Sequence, residues 1–223
     1  MKLAFIDKSE AVRYLGYGES TPDDKTKQLI DICEQKLLDV IDIRYVYRSF
    51  AVEKSPNGID IGEASLRLEG NDICRHLDGC EKVTLMCVTL SDAVDKLIRR
   101  LQLMDMALSV ITDSLANAAV EQACDIVEAE ITNRHNDMFS TWRFSVGYGD
   151  FSIEAQRRII ETLDANKRIG VSVSESFMLT PLKTVTAVIG HSYKEIDRGR
   201  VGCVTCNLKD TCNFRKRGEH CGF

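Results

Sequence analysis

The sequence predicts an α+β fold in which a mixed or antiparallel twisted sheet is flanked by helices. Residues 82–90, KVTLMCVTL, form a near-continuous apolar run that is typical of a buried strand. Residues 102–132 carry apolar side chains every three or four positions, as a long amphipathic helix does. Predicted strands and helices do not alternate as regular βαβ units, which argues against a simple doubly wound sheet.

The first part of the chain predicts two helices and one further strand. Residues 23–40 have apolar side chains at helical spacing after a start signal at Thr21-Pro22-Asp23. Residues 44–52, RYVYRSFAV, are β-branched and aromatic, as expected for a strand, and Pro56-Asn57-Gly58 breaks the pattern. Residues 66–77 indicate a short helix that starts near Asn71.

Ser91 is predicted to cap a helix whose inward face includes Val94, Leu97 and Ile98. The long helix over 102–132 follows. Its face opposite the apolar side carries a stripe of polar residues, which is most simply interpreted as a solvated face. That stripe consists of Asp113, Asn117, Glu121, Asp125 and Glu128.

The remaining elements are predicted as a strand over 143–146, a turn over 147–150, a helix over 153–166, and strands over 169–177 and 184–191. Near residues 193–202 charged residues and glycine replace the apolar periodicity. We therefore divide the chain into a domain at 1–192 and a Cys-rich tail at 193–223.

Composition and charge argue against a nucleic-acid-binding, membrane-spanning or secreted protein. The 223 residues are 44% hydrophobic and 28% charged, as in an ordinary globular protein. The formal charge of −5 argues against nucleic acid as a partner, because surfaces that neutralise phosphates are usually basic. No apolar run approaches the ~20 residues of a membrane span, and Asp7 and Glu10 come too early for a secretory signal. We expect a cytoplasmic protein.

Four of the nine cysteines crowd into the tail with the spacing Cys203-x2-Cys206-x5-Cys212-x8-Cys221. The first pair has the loop spacing common to zinc and iron–sulfur sites, so this set predicts a metal centre of either kind. A disulfide pair and a reduced tail without metal are the alternatives. The other cysteines are expected to be small buried hydrophobes, and they are Cys33, Cys74, Cys80, Cys87 and Cys124.

The turn after the predicted strand at 143–146 offers three groups suited to S-adenosylmethionine. The fork of Arg143 can donate two parallel hydrogen bonds to a carboxylate. Gly147 allows close approach of the backbone to a ligand, and the face of Tyr148 can contact a sulfonium or an adenine. R-x-x-x-G-Y alone is a weak motif, and on this motif alone a strand-ending turn with an exposed arginine is the favoured interpretation. The lone histidines His76 and His191 are expected to be held by hydrogen bonds.

A longer pattern resembles the reactivation domain of cobalamin-dependent methionine synthase. RFSVGY, a helix ending in LDANKRIG, SESFMLTP and KTVTAVIGHS follow one another in that family's order. The resemblance implies that Arg143 and Tyr148 contact S-adenosylmethionine, with backbone contacts near Ser145 and Gly147. It also implies a glutamate ligand on the preceding helix, for which Glu121 is the best match. Residues 149–154 depart from the family, which has prolines and a histidine there. Residues 13–17, RYLGY, resemble the start of stand-alone versions of this domain.

The resemblance implies a reactivation subunit that supports reductive methylation of Co(II) cobalamin, as a component of a methyltransferase. The chain has no cobalamin-binding motif such as D-x-H-x-x-G, so the cobalamin must be held by a partner, either a methionine synthase or another corrinoid protein. An electron donor is also required, and an iron–sulfur tail would suit that purpose. The alternative is a metal-binding electron-transfer or assembly protein that keeps the fold without binding the ligand.

Overall fold

The computed structural model describes residues 1–17, 20–55 and 58–196. The helices are α1 (Lys8–Tyr14), α2 (Asp24–Val40), α3 (Asn71–His76), α4 (Asp92–Met104), α5 (Met106–Arg134), α6 (Ala155–Leu163) and α7 (Ala165–Ile169). The strands are β1 (Arg44–Ala51), β2 (Glu53–Ser55), β3 (Gly58–Ile61), β4 (Leu66–Leu68), β5 (Lys82–Thr89), β6 (Phe139–Ser140), β7 (Phe144–Ser145), β8 (Ser172–Val173), β9 (Leu179–Thr180) and β10 (Thr184–Ser192).

The main sheet has the order β1-β5-β10-β6, and β7 also pairs with β10. All of these pairs are antiparallel. β5 lies between β1 and β10, and all its residues after Lys82 are buried. This placement explains its continuous apolar sequence, because both of its faces are covered. The predicted α+β class, with helices flanking an antiparallel sheet, is confirmed.

Each face of the sheet packs against its own hydrophobic core. Met86 and Ile189 face the core formed with α1, α2, α4 and α5. Leu85 and Val188 face the other core, which is formed with α3, α6, α7 and the small sheet β2-β3-β4. The sheet thus separates two layers, and α5 spans one of them. No helix among the described residues is long and apolar enough to cross a membrane.

The early elements are mostly as predicted. α2 begins after Asp23, whose carboxylate accepts a hydrogen bond from the backbone N–H of Thr26 at 2.7 Å. β1 and β5 match the predicted strands. Within residues 66–77 the predicted short helix begins at Asn71, as α3. The sequence did not indicate strand β4, in which Leu66 and Leu68 pair with β3. Pro56-Asn57, predicted as a break, lies outside the described residues, and β2 and β3 flank it.

The long helix begins later than predicted, since α4 continues to Met104 and α5 starts at Met106. Asp105 separates them in extended conformation, and its carboxylate accepts a hydrogen bond from the backbone N–H of Ala107 at 2.8 Å. Ser91 does stand at the N-cap position of α4. However, its side chain makes no capping hydrogen bond.

Two later predictions are also corrected. The helix predicted over 153–166 is divided into α6 and α7, because Asp164 adopts a left-handed conformation with φ of 51°. The strand predicted over 169–177 is reduced to β8, because Gly170 ends α7 with φ of 75° and the chain turns back after Val173. Of the scattered cysteines, four are buried as expected and Cys74 is partly exposed.

Candidate functional site

The polar stripe of α5 faces two cations that come from outside the helix. Lys183, in the loop before β10, lies 2.8 Å from a carboxylate oxygen of Asp113 and donates to the side-chain oxygen of Asn117 at 2.7 Å. Lys183 is itself largely buried, with 12% of its side chain exposed. This pairing covers the N-terminal part of the stripe.

Arg143 covers the rest of the stripe. Its Nη2 donates to Glu121 at 2.8 Å, and its Nη1 donates to Asp125 and Glu128, both at 2.6 Å. The backbone N–H of Arg143 also donates to Glu128 at 3.1 Å. We call these four residues the arginine cluster. Glu128 thus holds both the backbone and the side chain of Arg143 in place.

The solvated face expected from the sequence is correct only in part, because the side chains of Asp113, Glu121 and Asp125 are 47%, 48% and 66% exposed but each also pairs with a cation from outside the helix. The five stripe residues lie three or four positions apart, so they do share one face of the helix. Their partners, however, lie far away in the chain, since Asp113 and Lys183 are 70 positions apart. Helical periodicity cannot reveal such partners, because ion pairs between distant segments form only when the tertiary fold brings them together.

The arginine cluster is electronegative although it contains a guanidinium. Three carboxylates surround one positive charge, which leaves two negative charges in excess. Burial alone would lower the pKa of Arg143, but its hydrogen bonds to Glu121 and Glu128 and the charge of Asp125 raise that pKa above its ordinary value. The guanidinium stays charged, and the excess negative charge favours a ligand with cationic groups.

The turn predicted over 147–150 is confirmed directly after β7. Gly147 has φ of 86°, and a Cβ at this position would lie 3.1 Å from Cδ1 of Ile153. The N–H of Gly147 donates to the carbonyl of Phe151 at 3.0 Å, and that of Tyr148 donates to the carbonyl of Ser145 at 3.2 Å. These bonds fix the backbone of the predicted ligand-contacting turn.

Residues 149–154, which lack the prolines and histidine of the methionine synthase domain, anchor the turn in another way. The carboxylate of Asp150 accepts hydrogen bonds from the backbone N–H groups of Asn71 at 2.7 Å and Asp72 at 2.9 Å. The bonds from Asp72 and Asn71 hold the pKa of Asp150 below its ordinary value. A Cβ on Gly70 would lie 2.8 Å from this carboxylate, so the close approach depends on glycine.

Aromatic side chains extend from the turn to α3. The ring of Tyr148 is half exposed and lies edge-on to Phe144, with 6.1 Å between centroids. Trp142 and His76 continue this contact network. Nε2 of His76 donates to the carbonyl of Trp142 at 2.9 Å, and burial lowers the pKa of His76 to about 4. The exposed face of Tyr148 is thus supported from behind by packed rings.

Both histidines singled out in the sequence are held by hydrogen bonds, as predicted. His191 is fully buried between Thr84, at 2.7 Å from its Nε2, and Ser140, at 2.9 Å from its Nδ1. Its ring stacks on that of His135 with 4.0 Å between centroids. Cys124, beside the arginine cluster on α5, is buried, and burial raises the pKa of its thiol. Hydrogen bonds engage both histidines and burial favours the neutral thiol of Cys124, so nothing here assigns these groups a role as nucleophile or general base.

Tyr14, at the end of α1, lies on a helix that packs against α5, and the pattern of R-x-x-x-G-Y did not indicate it. Burial raises the pKa of Tyr14, and the negative charge of Glu121 raises it further. The guanidinium of Arg13 lies 4.6 Å from the centroid of the Tyr14 ring. The only sequence signal was the RYLGY segment at 13–17.

The structure brings Arg143 and Glu121 into contact, and it places Ser145 at the end of β7 with Gly147 and Tyr148 in the turn that follows. A guanidinium, carboxylates and an exposed aromatic ring match the carboxylate, ammonium and sulfonium of S-adenosylmethionine. The predicted metal ligands lie outside the described residues, and they are Cys203, Cys206, Cys212 and Cys221. Within the described part of the chain, no group of three or more His, Cys, Asp or Glu residues could hold a metal ion.

Comparisons with known proteins agree with the fold expected from the sequence. No family model matches the chain, and a search of curated proteins also finds no match. Among solved structures, the MetH reactivation domain bound to AdoHcy superposes with a TM-score of 0.65 at 15% sequence identity. The match covers 96% of this chain and 82% of that one. The chain therefore has the fold of the MetH reactivation domain.

Proposed function

We propose that this protein binds S-adenosylmethionine at the arginine cluster and serves as a reactivation subunit for cobalamin-dependent methyl transfer. The observation that carries the proposal is the contact of Arg143 with Glu121, next to the Gly147 turn, in a chain with the fold of a domain solved with AdoHcy. These are the groups to which the sequence resemblance assigns ligand contacts.

In this proposal the protein orients the methyl donor and the partner supplies the acceptor. A one-electron donor first reduces Co(II) to Co(I) on the partner. The methyl group then passes from the sulfonium to cobalt. The electron pair of the broken carbon–sulfur bond stays on sulfur, and the Co(I) electron pair forms the new bond. Orientation is the main contribution expected of the protein, because transfer of a methyl group to Co(I) moves no proton and needs no general base.

Within the proposed site, Arg143 holds the ligand carboxylate and Glu121 its ammonium group. The backbone near Ser145 and Gly147 lines the ligand, and the exposed ring of Tyr148 contacts the sulfonium or the adenine. The partner is a cobalamin-binding methionine synthase or a related corrinoid protein, and the expected compartment is the cytoplasm.

Isothermal titration with S-adenosylmethionine tests the proposal. We expect saturable binding by the wild type, with Arg143→Ala abolishing it. Arg134→Ala is the matched control, because Arg134 lies on the same helix as Glu121 and its guanidinium contacts Glu130 and the ring of Tyr47, neither of which belongs to the arginine cluster. Circular dichroism of each variant ensures that loss of binding is not loss of fold. No binding by the wild type, alone or with a cobalamin-loaded partner, would contradict the proposal.

We further propose that Cys203, Cys206, Cys212 and Cys221 bind zinc or an iron–sulfur cluster. The support is their spacing and the neighbouring basic residues, which would offset thiolate charge. A cluster would give a brown protein after anaerobic purification, with visible absorbance that bleaches on reduction, whereas zinc would be found by metal analysis of a colourless protein. Absence of both metals would refute this part of the proposal.

A further inference from the structure

We propose that Asp125 is an internal competitor of the ligand. Its carboxylate occupies, in the ligand-free protein, the place on Nη1 of Arg143 that the carboxylate of S-adenosylmethionine takes on binding. When the ligand binds, its carboxylate replaces that of Asp125 as a hydrogen-bond acceptor of the Arg143 guanidinium, which is paired with a carboxylate in both states. This inference rests on the proposed function and adds a residue that sets its affinity.

The geometry of the fork supports this assignment. A carboxylate that binds an arginine with two parallel hydrogen bonds needs donors from two neighbouring nitrogens. Nη1 already donates to both Asp125 and Glu128, and Nη2 donates to Glu121. A ligand carboxylate that approaches the edge formed by Nη1 and Nη2 therefore gains a bidentate contact only when one of these carboxylates moves away, because both protons of Nη1 are already donated.

Exposure decides which carboxylate moves. The side chain of Asp125 is 66% exposed, whereas that of Glu128 is only 21% exposed. Glu128 also accepts the backbone N–H of Arg143, so its departure would leave a half-buried donor without this partner. Asp125 can instead rotate into water, where its charge is fully solvated. Glu128 is thus the positioning residue, and Asp125 is the group that is displaced.

The displaced charge still acts on the ligand. Asp125 remains one turn from Glu121 on α5, on the face that the ligand ammonium approaches. Removing its charge therefore has two opposite effects: it frees Nη1 for the ligand carboxylate, and it weakens the attraction for cationic groups. Freeing Nη1 strengthens binding only of a ligand that has a carboxylate, whereas the weaker attraction for cationic groups affects ligands with or without one.

This difference defines the experiment. Binding of S-adenosylmethionine and of its decarboxylated analogue is measured by titration calorimetry for the wild type, Asp125→Asn and Asp113→Asn. Asp113 is the matched control, because it lies on the same stripe but pairs with Lys183. We expect Asp125→Asn to bind S-adenosylmethionine about two- to fivefold more tightly than Asp113→Asn does, the scale of one exposed ion pair. The decarboxylated analogue should bind Asp125→Asn no more tightly than the wild type.

The possible results separate the two proposals. If the wild type binds S-adenosylmethionine but Asp125→Asn binds it no more tightly than Asp113→Asn, the exchange is wrong and the proposed function stands. Equal tightening for both ligands also overturns the exchange, because the ligand carboxylate would then be irrelevant. Absence of binding by the wild type overturns both. Glu128→Gln should weaken binding of both ligands, as expected for a residue that positions Arg143.

Discussion

Replacing Arg143 by alanine should destabilise the fold as well as remove the ligand site. The replacement leaves Glu121, Asp125 and Glu128 without their shared cation on one face of α5. Hydrogen bonds to charged groups contribute about 1.5–3 kcal/mol each when they are buried, which applies best to Glu128. The two exposed pairs add about 0.2–1 kcal/mol each, and like charges one turn apart on a helix repel by about 0.2–0.5 kcal/mol. The expected loss is about 2–5 kcal/mol.

Urea unfolding followed by circular dichroism measures this loss, with the denaturant slope expected to stay unchanged. Arg134→Ala removes one exposed pair and a cation–π contact with Tyr47, and it should change the free energy of unfolding by less than about 1 kcal/mol. Adding Glu128→Gln to Arg143→Ala should recover about 1 kcal/mol, because it neutralises the least exposed orphaned carboxylate. A loss below about 0.5 kcal/mol for Arg143→Ala, or no recovery in the double variant, would refute the assigned role of the cluster.

Two further predictions concern β10. Burial, with the positive charges of His135 and Lys82, lowers the pKa of His191 from 6.5 to about 4. Between pH 6.5 and 4, His191 is therefore protonated in the unfolded chain but neutral in the folded chain. The contribution of neutral His191 to the free energy of unfolding, about 3 kcal/mol, is complete above pH 6.5 and is lost as the pH falls towards 4. His191→Asn should flatten stability against pH in that window, and an unchanged slope would contradict this. Gly190→Ala would place a Cβ 2.5 Å from Sγ of Cys80 and should lower the free energy of unfolding by about 1–3 kcal/mol. Gly62→Ala has open space and is its control, so equal effects on thermal unfolding would refute the steric argument.

Local patterns predicted those elements whose environment is uniform along their length. The continuous apolar run of β5 and the helical spacing of α2 both correspond to elements in the structure. The division between α4 and α5 was missed because apolar residues continue across Asp105, which ends one helix and caps the next. The pairing of Leu66 and Leu68 with β3 was missed because a three-residue strand is too short to show a period.

The individual residues of the site could be predicted from the sequence, but the contacts between them could not. Sequence resemblance indicated Arg143 and Glu121, and helical spacing placed Asp125 and Glu128 on the same face as Glu121. That all three carboxylates meet the guanidinium depends on the antiparallel pairing of β7 with β10 and on the packing of α5 against the sheet. Those contacts join segments that lie far apart in the sequence, and no local pattern encodes them.

The central claim is that S-adenosylmethionine binds with its carboxylate on Arg143. A crystal structure of this protein grown with S-adenosylmethionine tests it most directly. The account predicts the ligand carboxylate within hydrogen-bonding distance of Nη1 and Nη2, Asp125 turned towards solvent, and the ring of Tyr148 against the sulfonium or the adenine. A ligand bound elsewhere, or one that leaves Arg143 paired with all three carboxylates, would contradict it.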